Sequence, residues 1–493
     1  MASVASTVTV PAADVYRTRL VRVTLVWVLT ALVLFPVLAI LGLLMRTQQG
    51  GYLQSLPPEV FYAIMTLHGL GMVGLWFVAG MAVISVLLAS YVKPTTAVSW
   101  IAYGATLTGV VLLLAATLIG RLGVGWYFLY PLPFHSGGTW PDWATASLFV
   151  ALGVMGVGWT VWAADLLFAI ARRYRLSHAL GWHYLSGTTT PDVPPLIIIT
   201  TVSLIGVLAG LVAAVVILVL IGAEQLGSGG FTNDALLIKN LTFYFGHMVV
   251  NVTMYLGVAM VYEVLPAYTS RPWKTNTLVV YSWNLVLLLV MVAYLHHLYM
   301  DFAQPRWLQV TGQLSSYLIS VPAAVVTIFS TLVLIYGSTM RWRLPSVMLF
   351  LGVMGWAIGG VAAVIDSTVA VNAHFHNTLW VPAHFHTYFV MGVMLMILGT
   401  VFHLVTELSA VPERVALTKT IVGTVGLGGY GFLLMFYLAG VAGVPRRYAI
   451  YPAEVAVGTG YAKISLIFIA ILLVGALVYI WETGRRCLKA FSS

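Results

Sequence analysis

The hydrophobic positions of this chain fall into long unbroken runs, not into the alternation of strands or the one-sided stripes of soluble helices. A helix that crosses a bilayer needs roughly 20 mostly apolar residues. Twelve runs reach that length: 21–45, 59–91, 98–120, 143–171, 194–222, 239–265, 276–300, 308–337, 345–367, 379–405, 417–442 and 461–483. The polar breaks between them are short. The strongest turn signals are Gly227-Ser228-Gly229-Gly230, 188–195 and 270–274, and none is long enough for a soluble module. The pattern predicts an all-α integral membrane protein, a bundle of about 12 transmembrane helices forming a single membrane domain over 1–493.

Composition agrees. The 493 residues are 61% hydrophobic and 8% charged, whereas about a quarter of a soluble domain is charged. The net charge of +9 therefore bears on topology and lipid contact, and nucleic acid is not an expected partner. Placing the N-terminus inside gathers most of the 23 Lys and Arg on that side, among them Arg17, Arg19, Arg22, Arg172, Arg173, Arg175, Arg485 and Arg486. By the positive-inside rule both termini are expected in the cytoplasm. The first run is long enough to span and is expected to be a retained helix, not a cleaved signal. Cys487 is the single cysteine, which excludes intrachain disulfides, thiolate zinc sites, Cys-ligated clusters and C-x-x-C-H haem attachment.

Candidate chemistry lies in histidine. The stretch His374-Phe375-His376-Asn377-Thr378-Leu379-Trp380-Val381-Pro382-Ala383-His384-Phe385-His386 holds four of twelve histidines. His384 and His386 are two apart, about 200° around a helix, so they face nearly opposite sides. One helix end can then hold two metal groups side by side. His68 and His247 sit early in the second and sixth runs, and His296 and His297 close the seventh. With alternating spans, all six imidazoles fall in the outer third of the membrane. A single buried histidine is ordinarily a hydrogen-bonded core residue; six at one depth on four spans are better read as ligands for copper, iron or haem. Two consecutive histidines converge on one ion only where a helix is distorted or ending.

The segments Phe245-Gly246-His247, His296-His297, Val381-Pro382-Ala383-His384-Phe385-His386 and Val444-Pro445-Arg446-Arg447-Tyr448 resemble the catalytic subunit I of the haem–copper oxidoreductase superfamily. His376-Asn377-Thr378 and the spacing from His297 to Pro322 resemble the B-type branch of terminal oxidases. The resemblance implies His68 and His386 as axial ligands of a low-spin haem b. It implies His384 as the proximal ligand of a high-spin haem, b or a-type, and His247, His296 and His297 as ligands of a copper facing it. Three histidines without a carboxylate favour copper over non-haem iron. Arg446 and Arg447 match the pair that holds haem propionates, where an Arg fork suits carboxylates. His376 and Asn372 are further candidates there. His374 is unassigned, and His135, His178, His183 and His403 are expected in loops or interfaces. The implied partners are membrane lipid and a cupredoxin-like subunit II with dinuclear copper on the outer face, fed by cytochrome c or quinol. The implied place is the plasma (inner) membrane of a prokaryote.

Two positions depart from an oxygen reductase. The family's B-type members carry a tyrosine four residues after the copper histidine of span 6, on the same helix face; here the residue is Asn251. A related branch places its tyrosine six before the His pair, where this chain has Val290. Ala323 and Val326 replace hydroxyls of the inner proton path, while Tyr262 is kept and Thr327 stands one position off. Splitting O₂ takes four electrons, one from the tyrosine, whereas coupling two NO takes two, which iron and copper can supply. The sequence therefore resembles a nitric oxide reductase of denitrification and respiratory electron transport, with Asn251 a candidate hydrogen bond donor to bound NO. The alternative is a terminal oxidase, fed by cytochrome c or quinol, that reduces O₂ to water with proton translocation. Its displaced donor would be Tyr255, placed about 12 Å beyond His247 along the helix, or Tyr294, expected to face away. A haem sensor or transporter without turnover is the third reading.

Overall fold

The structure is a computed structural model and describes residues 15–492 except 54–55, 128, 228–229 and 302. The predicted turn at Ser228-Gly229 lies outside the described residues. Among the described residues, twelve helices are long and apolar enough to cross a membrane: α1 Tyr16–Gln49, α2 Pro58–Leu88, α3 Thr96–Ile119, α4 Asp142–Tyr174, α5 Pro195–Gln225, α6 Ala235–Thr269, α7 Thr277–Leu298, α8 Arg306–Ile335, α9 Leu344–Asp366, α10 Trp380–Ser409, α11 Val415–Val441 and α12 Val457–Ser492. No strand occurs among the described residues. Helices are the expected solution, because lipid offers no partner to an open backbone N–H or C=O. The largest departure from the predicted bounds is α12, which runs on to Ser492, with Glu482 and Arg486 paired within the protein. Arg486, fully buried, donates to Glu482 (2.8 Å), the Pro412 carbonyl (2.9 Å) and Thr406 (3.2 Å), and so ties α12 to the α10–α11 turn.

Neighbours in sequence pack together, and α1 also packs on α12, which closes the ring. Three helices form the centre. Their most apolar windows are 72% (α2), 83% (α6) and 89% (α10) buried, against 28% for α1 and 22% for α12. Between apolar helices in lipid, close packing replaces the hydrophobic drive, so small residues mark the contacts. Gly42 of α1 lies against the His68 ring, where an added Cβ would sit 2.9 Å from Cε1. Gly359 of α9 meets the Tyr388 ring of α10 in the same way, at 2.8 Å.

The regular α-helix breaks at three places that matter for the site. The last turn of α7, Tyr294–Leu298, is 3₁₀ and carries His296 and His297, the distortion that lets two successive rings converge. Segments Thr387–Val393 of α10 and Val325–Phe329 of α8 are π-helical. Such bulges are common at functional sites.

Candidate redox and metal centre

Helices α2, α6 and α10 begin, and α7 ends, at one end of the bundle, so the six histidines share that end. They line one cavity of about 620 Å³.

His386 and His68 face each other across α10 and α2, with ring centroids 6.3 Å apart and planes 19° from parallel. A metal–imidazole bond is about 2 Å, so two trans imidazoles on one ion stand about 6 Å apart, centroid to centroid. His384, on the opposite flank, turns instead to α9. Each of the three is fixed in one tautomer by a carbonyl, which can only accept. His68 Nδ1–H donates to Leu38 (2.9 Å), His386 Nδ1–H to Pro382 (2.7 Å) and His384 Nδ1–H to Gly359 (3.2 Å). All three Nε2 lone pairs are thereby left for a ligand role.

The second group is His247, His296 and His297, whose ligand atoms lie within 4.8 Å of one another. It is the one such cluster among the described residues. The rings of His296 and His297 are 4.1 Å apart, and His247 lies 5.3 and 5.6 Å from them. Ser316 of α8 bonds His296 Nδ1 at 3.0 Å. His247 is oriented the other way from the first group. The Val290 carbonyl lies against its ring, while its buried Nδ1 has no protein partner. An unpaired buried lone pair costs free energy unless something fills the place, and a metal ion facing His296 and His297 would fill it.

Above these rings, the segments 377–379 and 444–446 pair through Thr378 and Pro445, with Arg446 N–H donating to the Asn377 carbonyl and Leu379 N–H to that of Val444. This seats the Arg446–Arg447 pair beside the cavity. Burial, then the neighbouring Arg447, pushes the Arg446 guanidinium down to about 9, opposed by Asp366. Its buried Nε has no protein partner. Arg447, also lowered by burial, stacks over Tyr127 at 3.8 Å. Two desolvated guanidiniums with a spare donor suit an incoming carboxylate. Asn372 donates to the Asp366 carbonyl oxygen (2.7 Å) and its own oxygen meets His376 Nδ1 (3.1 Å). Burial first, then Arg446, lowers His376 to about 4, so it is neutral.

Asn251 lines the same cavity, and its Nδ2 donates to the His247 carbonyl at 2.8 Å. Tyr255 is two turns from His247 in backbone, yet its hydroxyl reaches Asn251 Oδ1 at 3.4 Å. The helical estimate of its distance omitted the phenol, which points back toward the helix N-terminus. Tyr294 faces away as expected, toward Asn240. Ala323 and Val326 are buried and apolar, but the wall is not wholly so. Tyr262 donates to the Val326 carbonyl (2.8 Å) and meets Thr327 Oγ1 at 3.3 Å. Thr327 lies in the π segment of α8.

Of the remaining histidines, His135 and His374 are exposed. His403 is not in a loop; it is buried near the end of α10 and bonded to Tyr268 at 3.0 Å. Two residues near the site escaped the sequence reading. Asp366 ends α9 beside Arg446, and Arg46 of α1 is buried over the Phe436 ring at 4.4 Å, which itself touches His386. The signal was available: an ionisable residue at the edge of an apolar span is a functional flag by default.

With this geometry in place, the family model described as Cytochrome C and Quinol oxidase polypeptide I matches residues 22–478. The chain belongs to this family. Curated relatives named cytochrome c oxidase subunit 1 include one from Thermostichus vulcanus, 23% identical over 93% of this chain and 83% of its own length. Another, from Thermus thermophilus, is 24% identical over 79% of this chain and 69% of its own length. A haem–copper terminal oxidase solved by cryo-EM as a dimer superposes with a TM-score of 0.76 at 20% identity, over 97% of this chain and 85% of that one. It shares the fold. The protein is thus a multi-pass membrane haem–copper oxidoreductase subunit I, and the family implies haems and a copper centre. The donor sets fit both groups: a parallel imidazole pair at trans spacing, and a three-histidine cluster with an orphaned Nδ1.

Proposed function

We propose that this chain is the catalytic subunit of a membrane nitric oxide reductase: 2 NO + 2 e⁻ + 2 H⁺ → N₂O + H₂O. The observation that carries the reading is Asn251. It occupies the cavity one turn below His247, where a carboxamide cannot give up an electron and a proton together as a phenol does. Position 290, where a related branch carries its tyrosine, is Val290.

In this reading His68 and His386 hold the low-spin haem b, His384 the high-spin haem, b or a-type, and His247, His296 and His297 the copper. The haems and copper, when bound, supply electron relay and the paired open site for the gas. The chain supplies the rest. Carbonyls of Leu38, Pro382 and Gly359 hold the haem imidazoles as Nε2 donors. Arg446 and Arg447, with His376 and Asn372 beside them, receive the haem carboxylates. Apolar walls keep the cavity dry, which strengthens every polar contact inside it. The whole of 1–493 acts as one membrane domain with both termini in the cytoplasm and the site toward the outer face of a prokaryotic plasma membrane. Electrons arrive through a cupredoxin-like subunit II carrying dinuclear copper, fed by cytochrome c or quinol.

The second reading is a terminal oxidase reducing O₂, and two observations favour it: the relatives' names, and the Tyr255 hydroxyl at Asn251. The latter is too indirect for the tyrosine's role, because the carboxamide stands between phenol and cavity. Anaerobic turnover of the purified complex with NO tests the choice. N₂O formed at one per two NO is expected, together with two irons and one copper in this subunit. Fast O₂ uptake without N₂O would overturn the reading, and three irons would overturn the copper assignment.

A further inference from the structure

The Asn251 carboxamide has a definite orientation. Its partner on the helix is the His247 carbonyl, 2.8 Å away. A carbonyl only accepts, so the nitrogen must face it and Oδ1 must lie on the other side. There the Tyr255 hydroxyl donates to Oδ1 at 3.4 Å. Tyr255 is 3% exposed and its ring stands edge-on to Trp283 of α7, centroids 5.4 Å apart, so the phenol is held from behind. One of the two Nδ2 hydrogens is spent on His247. The second is left for the cavity, which Asn251 lines together with His247, His296, His297 and His384.

We propose that Tyr255 is a positioning residue: bonded to Asn251 Oδ1, it locks the carboxamide so that one Nδ2–H presents itself to the gas bound in the cavity. Without that contact only the His247 carbonyl restrains the carboxamide, and the side chain gains rotamers that withdraw the donor. Tyr255 therefore acts through Asn251 and exchanges no electron with the substrate. The inference rests on the nitric oxide reading for the identity of the gas, and for that alone.

The test uses the intact reduced complex with carbon monoxide as probe, and reads the infrared C–O stretch at the high-spin haem. The wild-type band is expected to move in D₂O, because the donor is exchangeable. In Tyr255→Phe it splits, with a component at higher frequency, and CO affinity falls about two- to tenfold, the worth of one neutral hydrogen bond. Asn251→Leu shows the high-frequency component alone, insensitive to D₂O. The low-spin haem spectrum stays unchanged throughout and reports assembly. Should Tyr255→Phe fail to assemble, Trp283→Phe, which loosens the Tyr255 ring, is expected to broaden the band likewise. A Tyr255→Phe or Trp283→Phe band identical to wild type overturns the proposal, as does a wild-type band indifferent to D₂O. Shifted bands in an enzyme that makes no N₂O refute the nitric oxide reading and leave the positioning role standing. Unshifted bands in an enzyme that makes N₂O refute only the role of Tyr255.

Discussion

The two flanks of α10 differ in what stands opposite them. On one, His386 meets a second imidazole, His68, at 6.3 Å and nearly parallel. On the other, His384 meets no imidazole at trans spacing; three histidines gather across a cavity instead. A metal held between His68 and His386 would have no place for a substrate and would be suited to passing electrons. A metal held by His384, facing a second one held by His247, His296 and His297, would have such a place. Seven residues, Trp380–His386, build both environments, so the flanks share a backbone and differ only in their neighbours.

Four substitutions probe that contrast, in falling order of expected effect. His68→Ala opens the closed flank. The low-spin spectrum is expected to disappear and turnover to fall more than about 1000-fold, since breaking the electron relay exceeds the 10–100-fold of an outer-shell change. Redox-difference spectra and steady-state rates check this, and a retained low-spin signal would remove His68 as ligand. On the open flank, His297→Ala is expected to lose copper by metal analysis and most of its activity, while the low-spin spectrum survives. Loss of both haems would mean that the flanks are not separable. Ser316→Ala removes the partner of His296. An approximately tenfold drop in copper affinity is expected, measured by chelator competition, and an unchanged affinity would make Ser316 a bystander. Smallest is Gly42→Ala, where the new methyl presses on His68. The α1 contact must open by a few tenths of an ångström, which costs about 1 kcal/mol; the low-spin band shifts while CO binding on the open flank stays as it was. A shift in CO binding instead would show strain crossing α10.

How far this was legible in the sequence divides along physical lines. The twelve spans follow from hydropathy, because the bilayer fixes both their length and their closed hydrogen bonding. The depth of the six histidines follows from counting along helices of known rise. The opposed faces of His384 and His386 follow from helical angle. What could not be read depends on broken periodicity or on where a long side chain points. Nothing in the local sequence marks the π segment of α8 that carries Thr327. Tyr255 looks remote until its phenol is seen to lie back along α6. His403 looked peripheral because nothing in its local sequence names Tyr268 as a partner 135 residues away. Asp366 and Arg46 were visible as charges, but not as neighbours of Arg446 and Phe436.

In the nitric oxide reading proposed above, substrate choice rests on one side chain of the open flank, Asn251. The most direct measurement compares, in one purified complex with one electron donor, the rate of NO reduction to N₂O with the rate of O₂ reduction to water. A carboxamide in the place of the phenol predicts that NO turnover exceeds O₂ turnover, and that Asn251→Leu slows the NO reaction by about 10- to 100-fold, the range of a lost preorganised donor. Faster O₂ than NO turnover, undiminished in Asn251→Leu, would contradict the account.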